Sequence, residues 1–173
     1  MKKVFALLLV LALALSTAAF ADEAIGSPVP MEVTNVTPEG VTATVTAAEA
    51  DELVSKLAEA IANEGDNEKV FASAGLENLA KYELVELVGL EIENYDPANE
   101  EDVVLTIKFA AAFEQGDDLI TLLGLIDGTD VTWENVAFAV EENGSLTITL
   151  TSEQAVKVMN GTAVIAVLKA IAE

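Results

Sequence analysis

The stretch DLITLLGLIDGTDVTWENVAFAVEENGSLTITL, residues 118–150, decides the fold: an apolar run, an Asp-Gly, an alternating run, an Asn-Gly and a second alternating run. Side chains along a strand change face at every residue, so Val136, Phe138 and Val140 share one face, and Leu146, Ile148 and Leu150 share one face of the next strand. A two-residue loop at Asn143-Gly144 would set Val140 opposite Thr147 and Phe138 opposite Thr149, which drives one apolar set into water. A three-residue loop of Glu142, Asn143 and Gly144, with Gly144 in the left-handed region, instead pairs Val140 with Leu146, Phe138 with Ile148 and Val136 with Leu150. This second register is the expectation, with Thr147, Thr149 and Thr151 on the other face. Earlier in the stretch, residues 119–126 are nearly continuously apolar, as a central strand buried on both faces requires. Val131 and Trp133 differ in parity from Val136, Phe138 and Val140. A bulge at Glu134-Asn135 would place Trp133 on the same inward face as Phe138, in the core and not on a ligand platform.

Working toward the C-terminus, Thr151-Ser152-Glu153-Gln154 has the spacing of a capping box, in which hydroxyl and carboxamide satisfy each other's free backbone amides. A short helix ending at Asn160-Gly161 follows, and then a last strand over 162–168. Toward the N-terminus, Val103, Leu105, Ile107 and Phe109 alternate with Thr106 and Lys108 as in a half-buried strand. Residues 82–93 read as a long strand with a phase change, since Val85 and Leu87 differ in parity from Leu90 and Ile92; a bulge at Gly89 would reconcile them. Residues 94–102 form a loop, 70–79 fit no one template, and 64–69 form a charged loop.

Ahead of these, Ala50, Leu53, Val54, Leu57 and Ile61 make one apolar stripe at helical spacing against Asp51, Glu52 and Glu59. With a capping box at Thr46-Ala47-Ala48-Glu49 and a stop at Gly65, the expected helix is 47–63. Residues 31–36 and the alternating Val41, Ala43 and Val45 flank Thr37-Pro38-Glu39-Gly40, which suits a type I turn, so a first hairpin is expected there. Residues 22–30, with Pro28 and Pro30, read as an extended lead-in.

The first 21 residues have the form of a cleavable bacterial export signal. Lys2 and Lys3 precede twelve apolar residues, and Ala19-Phe20-Ala21 is a small-x-small cleavage site. Cleavage leaves 152 of the 173 residues, enough for one domain, 22–173, with a sizeable core. The apolar run is short for a bilayer span, and no cysteine follows the cleavage site to take a lipid anchor. Losing Lys2 and Lys3 takes the net charge from −22 to −24. That charge repels phosphate backbones and anionic membranes, which excludes nucleic acid as a partner. It also keeps an exported protein in solution. With no cysteine there are no disulfides, so stability comes from packing.

From 82 to 168 the turn signals resemble the β-sandwich modules of secreted and cell-surface proteins of Gram-positive bacteria. The resemblance rests on Gly116-Asp117 before the apolar strand, Asp127-Gly128 with Trp133 nearby, the Gly-led strand from Gly144 to Thr151-Ser152, and the final Val/Ala/Ile strand from Ala163 to Leu168. It covers about half the chain, and neither a Pro/Thr stalk nor a sortase-type signal appears before Glu173. It implies an extracellular module without catalysis and supplies no site residues.

Residue types narrow the chemistry independently. Without His or Cys there is no Ser-His-Asp triad, thiol nucleophile, ordinary zinc site or haem ligand, and without Arg there is no bidentate anion clamp. No glycine-rich phosphate loop occurs. A hydrolase needs only two carboxylates, and 30 are present. One Trp and two Tyr give little aromatic platform for a sugar cleft. Asp127-Gly128-Thr129-Asp130, Gly116-Asp117-Asp118 and Asn99-Glu100-Glu101-Asp102 offer oxygens to calcium, yet none has the ligand-rich spacing of a calcium loop, and turn chemistry accounts for them. The Asn-x-Ser/Thr matches at Asn35, Asn143 and Asn160 read as turn and strand residues.

The expectation is an Ig-like antiparallel β-sandwich of seven to nine strands with one amphipathic helix near the start of the mature chain. Its expected function is a non-catalytic secreted or cell-surface structural or interaction module, with an extracellular protein or glycan as partner. No catalytic, cofactor or metal residue is assigned. A small-glycan-binding module and a carboxylate-pair hydrolase are the alternatives.

Overall fold

The computed structural model describes residues 31–110 and 112–171, so the leader and the lead-in over 22–30 lie outside the described residues. The chain runs β1 (Glu32–Thr37), β2 (Thr42–Ala47), α1 (Glu52–Glu64), α2 (Asn67–Val70), β3 (Tyr82–Glu93), β4 (Val103–Lys108), β5 (Leu119–Asp127), β6 (Asp130–Asn135), β7 (Ala137–Val140), β8 (Leu146–Leu150), α3 (Ser152–Asn160) and β9 (Thr162–Ala170). Two antiparallel sheets pack as a sandwich. One has the order β1-β4-β8-β7 and the other β2-β3-β9-β5-β6. In an immunoglobulin domain the first two strands pair within one sheet; here β1 and β2 belong to different sheets.

The β7–β8 hairpin has the three-residue register. Val140 lies opposite Leu146 and Phe138 opposite Ile148, and Gly144 has φ +80°. Glu141 donates its N–H to Ser145 O at 2.8 Å, and Gly144 donates to Glu141 O at 2.9 Å. Val136 lies just before β7, outside the ladder, and Thr151 is the N-cap of α3. The capping box at α3 is formed in both directions, Thr151 Oγ1 accepting from Gln154 N–H at 3.2 Å and Gln154 Oε1 from Thr151 N–H at 3.1 Å.

The expected first hairpin is not formed. The 37–40 turn carries the chain from one sheet to the other, so β1 pairs with β4 and β2 with β3. The helix start also differs from 47. Thr46 and Ala47 are held in the ladder opposite Gly89 and Val88 and are not free to cap. Asp51 caps α1 instead, its carboxylate accepting from Leu53 N–H at 2.8 Å and Val54 N–H at 3.0 Å. Gly65 ends the helix at φ +64°.

Two cores explain the remaining differences. Between the sheets lie Val88, Leu90, Ile92, Leu105, Ile107, Leu123, Ile148 and Ile165, joined by Ala155 and Val158 of α3. Behind the five-stranded sheet, α1, α2 and the following turns cover a second core of Val54, Leu57, Ile61, Phe71, Leu87, Leu122, Trp133, Val164 and Leu168. The central strands of the five-stranded sheet are therefore buried on both faces. That is why β5 and β9 are continuously apolar and why β3 changes phase: Leu87 faces the helix layer while Leu90 and Ile92 face the sandwich. The bulge expected at Gly89 lies instead at Val85, where the β3–β9 register shifts. Gly89 stays in register opposite Thr46, and a Cβ there would sit 3.3 Å from Val54 of α1.

Trp133 is buried, but not beside Phe138. It faces the helix layer, edge-on to Phe71 at 4.8 Å between ring centroids, whereas Phe138 packs against the core between the sheets. The parity change marks a strand switching sheets between β6 and β7, so a bulge is not required.

Candidate functional site

Because helices cover the outer face of the five-stranded sheet, the four-stranded sheet presents the sandwich's uncovered face. Its inward set, Val103, Leu105, Ile107, Leu146, Ile148 and Leu150, is fully buried. Period two then sends Val104, Thr106, Thr147 and Thr149 outward. Cross-strand pairing lines up Asn35, Thr106, Thr147 and Ala139 in one row and Thr37, Val104, Thr149 and Ala137 in the next.

An open groove of about 840 Å3 runs over this face, lined by Asn35, Thr106, Thr147, Gln115, Glu141, Glu142 and Asn143. Its polar groups are oriented. Thr147 Oγ1 donates to Glu141 at 2.6 Å, which leaves it to accept from Thr106 Oγ1 at 2.9 Å. The hydroxyls thus form a short chain ending on a carboxylate, with Asn35, Gln115 and Glu142 as further donors and acceptors around it.

A second recess of about 220 Å3 lies between β3 and the start of α1, with Ala47, Ala48, Ala58, Leu84 and Leu87 for walls and Glu49 and Glu86 as its carboxylates. Burial pushes the half-buried Glu86 carboxyl above the ordinary range, and the charge of Glu49 adds to it. A carboxyl whose folded pKa is raised destabilises the fold once it is ionised. The cost is absent below its unfolded pKa and complete above its folded one, so it appears as pH rises between them. Glu86→Gln is therefore expected to raise the melting temperature at neutral pH, with the gain vanishing below about pH 4. A gain that persists in acid would show that ionisation at Glu86 is not its cause.

Asp102, Asp117 and Asp118 accept hydrogen bonds within the fold, whereas the buried Asp130 Oδ1 has no partner among the described residues. Asp117 accepts from Glu114 N–H at 2.9 Å and pairs with Lys169 at 2.7 Å; the Lys169 hydrogen bond, then that of Glu114, holds its carboxyl below the usual range. Asp118 accepts from Tyr82 OH at 2.9 Å, which pushes the phenol up. Asp102 accepts from Ser152 N–H at 3.3 Å at the start of α3. Tyr95 OH donates to Glu101 O at 2.7 Å. Asp127 and Asp130 face each other across the Gly128-Thr129 turn. Among the described residues no three carboxylates converge in a metal-ligating group. Of the three Asn-x-Ser/Thr positions, Asn35 lines the groove, Asn143 Oδ1 accepts from Ser145 N–H at 3.0 Å, and Asn160 donates to Val156 O at 2.9 Å.

Sequence reasoning placed Thr147 and Thr149 on the outward face but did not assemble the groove, because Asn35, Gln115 and Glu141 come from segments far apart in the chain. The Glu49–Glu86 recess carried no sequence signal at all. Among the described residues no helix is long and apolar enough to cross a membrane. No family model matches the chain, and no curated protein or solved structure matches it.

Proposed function

We propose that the chain is a non-catalytic secreted or cell-surface interaction module that binds through the uncovered face of its four-stranded sheet. One observation carries this reading: the central strands of one sheet are buried on both faces, whereas the other sheet leaves a face to solvent with an open groove of oriented hydroxyl, amide and carboxylate groups. A two-sheet sandwich is also what the likeness to Gram-positive surface modules implies for residues 82–168. The extracellular setting rests on the leader-like residues 1–21, and exported protein should by intact mass begin at Asp22.

The groove's donors and acceptors are complementary to sugar hydroxyls, which supports a small glycan as the second reading. A glycan array with a parallel calcium titration separates the cases. Binding through the groove is expected to fall at least about tenfold in Thr147→Arg, which fills the groove and replaces the hydroxyl that links Thr106 to Glu141, while the melting temperature stays near the parent's. Retained binding in that variant would sink the assignment of the face. A parent that binds no glycan removes the second reading. Sugar release that is lost in Glu86→Gln would replace both readings by a carboxylate-pair hydrolase acting at the Glu49–Glu86 recess.

A further inference from the structure

Residues along an antiparallel ladder alternate between those that bond the neighbouring strand and those whose N–H and C=O point the other way. The bond from Glu141 N–H to Ser145 O sets the phase at the end of the hairpin. Ala139 opposite Thr147 and Ala137 opposite Thr149 are then the bonded pairs. Phe138 and Val140 turn their N–H and C=O groups outward, away from β8. Among the described residues these groups have no backbone partner. The result is a row of two donors and two acceptors with the spacing that an added strand reads.

Of the other three edge strands, β1 and β6 are blunted. The register of β1 shifts between Val33 and Asn35, and the Trp133 N–H on edge strand β6 is taken by Ser73 Oγ at 2.7 Å. Strand β7 has no bulge, proline or lysine, the usual devices against pairing. Ala137 and Ala139 are exposed and small, so a backbone can approach, while half-buried Phe138 and Val140 form an apolar rim on the inner side. Exposed Glu141 and Glu142 follow at once, and neither is in an ion pair among the described residues.

We propose that β7 takes up an extended segment of a partner protein in which cationic and apolar side chains alternate. Its backbone pairs with Phe138 and Val140, its apolar side chains lie beside theirs, and its Lys or Arg side chains lie on the outer face toward Glu141 and Glu142. Charge selects this occupant over a second copy, which would bring another strongly negative chain, net −22 with the leader and −24 without it. The proposal rests on the interaction-module reading but pairs with the sheet edge, sharing only Glu141 and Glu142 with the groove.

The test is amide exchange by NMR on the chain with a ten-residue peptide alternating lysine and valine, and a glutamate–valine peptide as control. The lysine peptide is expected to slow exchange at Phe138 and Val140 about tenfold or more and to leave Ala139 and the β2 amides unchanged. Val140→Pro removes an outward donor without touching the β7–β8 bonds, and Ala139→Lys adds a cation beside the edge. Each is expected to weaken peptide binding about tenfold or more, and Ala139→Lys carries the test if Val140→Pro fails to fold. Absent protection, binding that survives these variants, or equal binding of the glutamate peptide would overturn the proposal while leaving the groove reading intact. Groove binding that survives in Thr147→Arg, with edge protection retained, would overturn the groove alone. Protection of Phe138 and Val140 that grows with protein concentration in the absence of peptide would identify a second copy as occupant and overturn the cationic partner.

Discussion

Trp133→Ala is expected to cost about 3–5 kcal/mol of stability, the range for removing a large buried aromatic. The ring is 2% exposed and stands edge-on to Phe71. It also lies against Gly124 on the neighbouring strand β5, where an added Cβ would come within 2.6 Å of the indole. That close approach is the reason a glycine interrupts the apolar run of β5. Native emission should be blue-shifted and poorly quenched by acrylamide, and Trp133→Phe should lose less than Trp133→Ala because part of the contact with Phe71 survives. A solvent-exposed spectrum together with an alanine variant as stable as the parent would remove Trp133 from the core and reopen it as a ligand platform.

Gly144→Ala is the second large effect, expected at about 2–4 kcal/mol. The left-handed backbone conformation alone costs an L-residue about 1–2 kcal/mol. The remainder is steric. A Cβ on Gly144 would sit 2.5 Å from the Ala112 Cβ and 3.0 Å from the Phe113 carbonyl oxygen, and the segment cannot simply withdraw, because Phe113 N–H donates to Gly144 O at 3.0 Å. Repeating the substitution in an Ala112→Gly background isolates the contact with the Ala112 methyl: the cost should fall, but stay above the backbone share because the Phe113 carbonyl oxygen remains 3.0 Å away. An equal cost in both backgrounds would deny the clash, and an unchanged denaturation midpoint would deny both.

The candidate groove was legible only in part. Alternation along β4 and β8 put Thr106, Thr147 and Thr149 outward from sequence alone, since strand parity is local. The chain of hydroxyls ending on Glu141 needed the 106–147 pairing, which joins strands well separated in sequence. Gln115 reaches the same groove from the β4–β5 connection, and nothing in its neighbours marks it. The Glu49–Glu86 recess is legible only once α1 is seated on β3, because neither residue is conspicuous in a chain this acidic.

Sequence by itself determined the elements whose geometry is settled within a few residues. These include the β7–β8 register through its three-residue loop, the capping box of α3, the stop of α1 at Gly65 and the inward faces of β4 and β8. Only the tertiary structure decided which sheet each strand joined: β1 and β2 part across the 37–40 turn, β9 inserts between β3 and β5, and β6 and β7 lie in different sheets. It also decided that the central strands of the five-stranded sheet are covered twice, which turned the phase change in β3 and the parity of Trp133 from presumed bulges into contacts with a helix layer. The physical reason is range. Turn chemistry and side-chain alternation act between neighbours along the chain. Sheet membership is won by burying Val88 opposite Ile165 or Leu123 opposite the same residue, contacts whose free energy no local window contains.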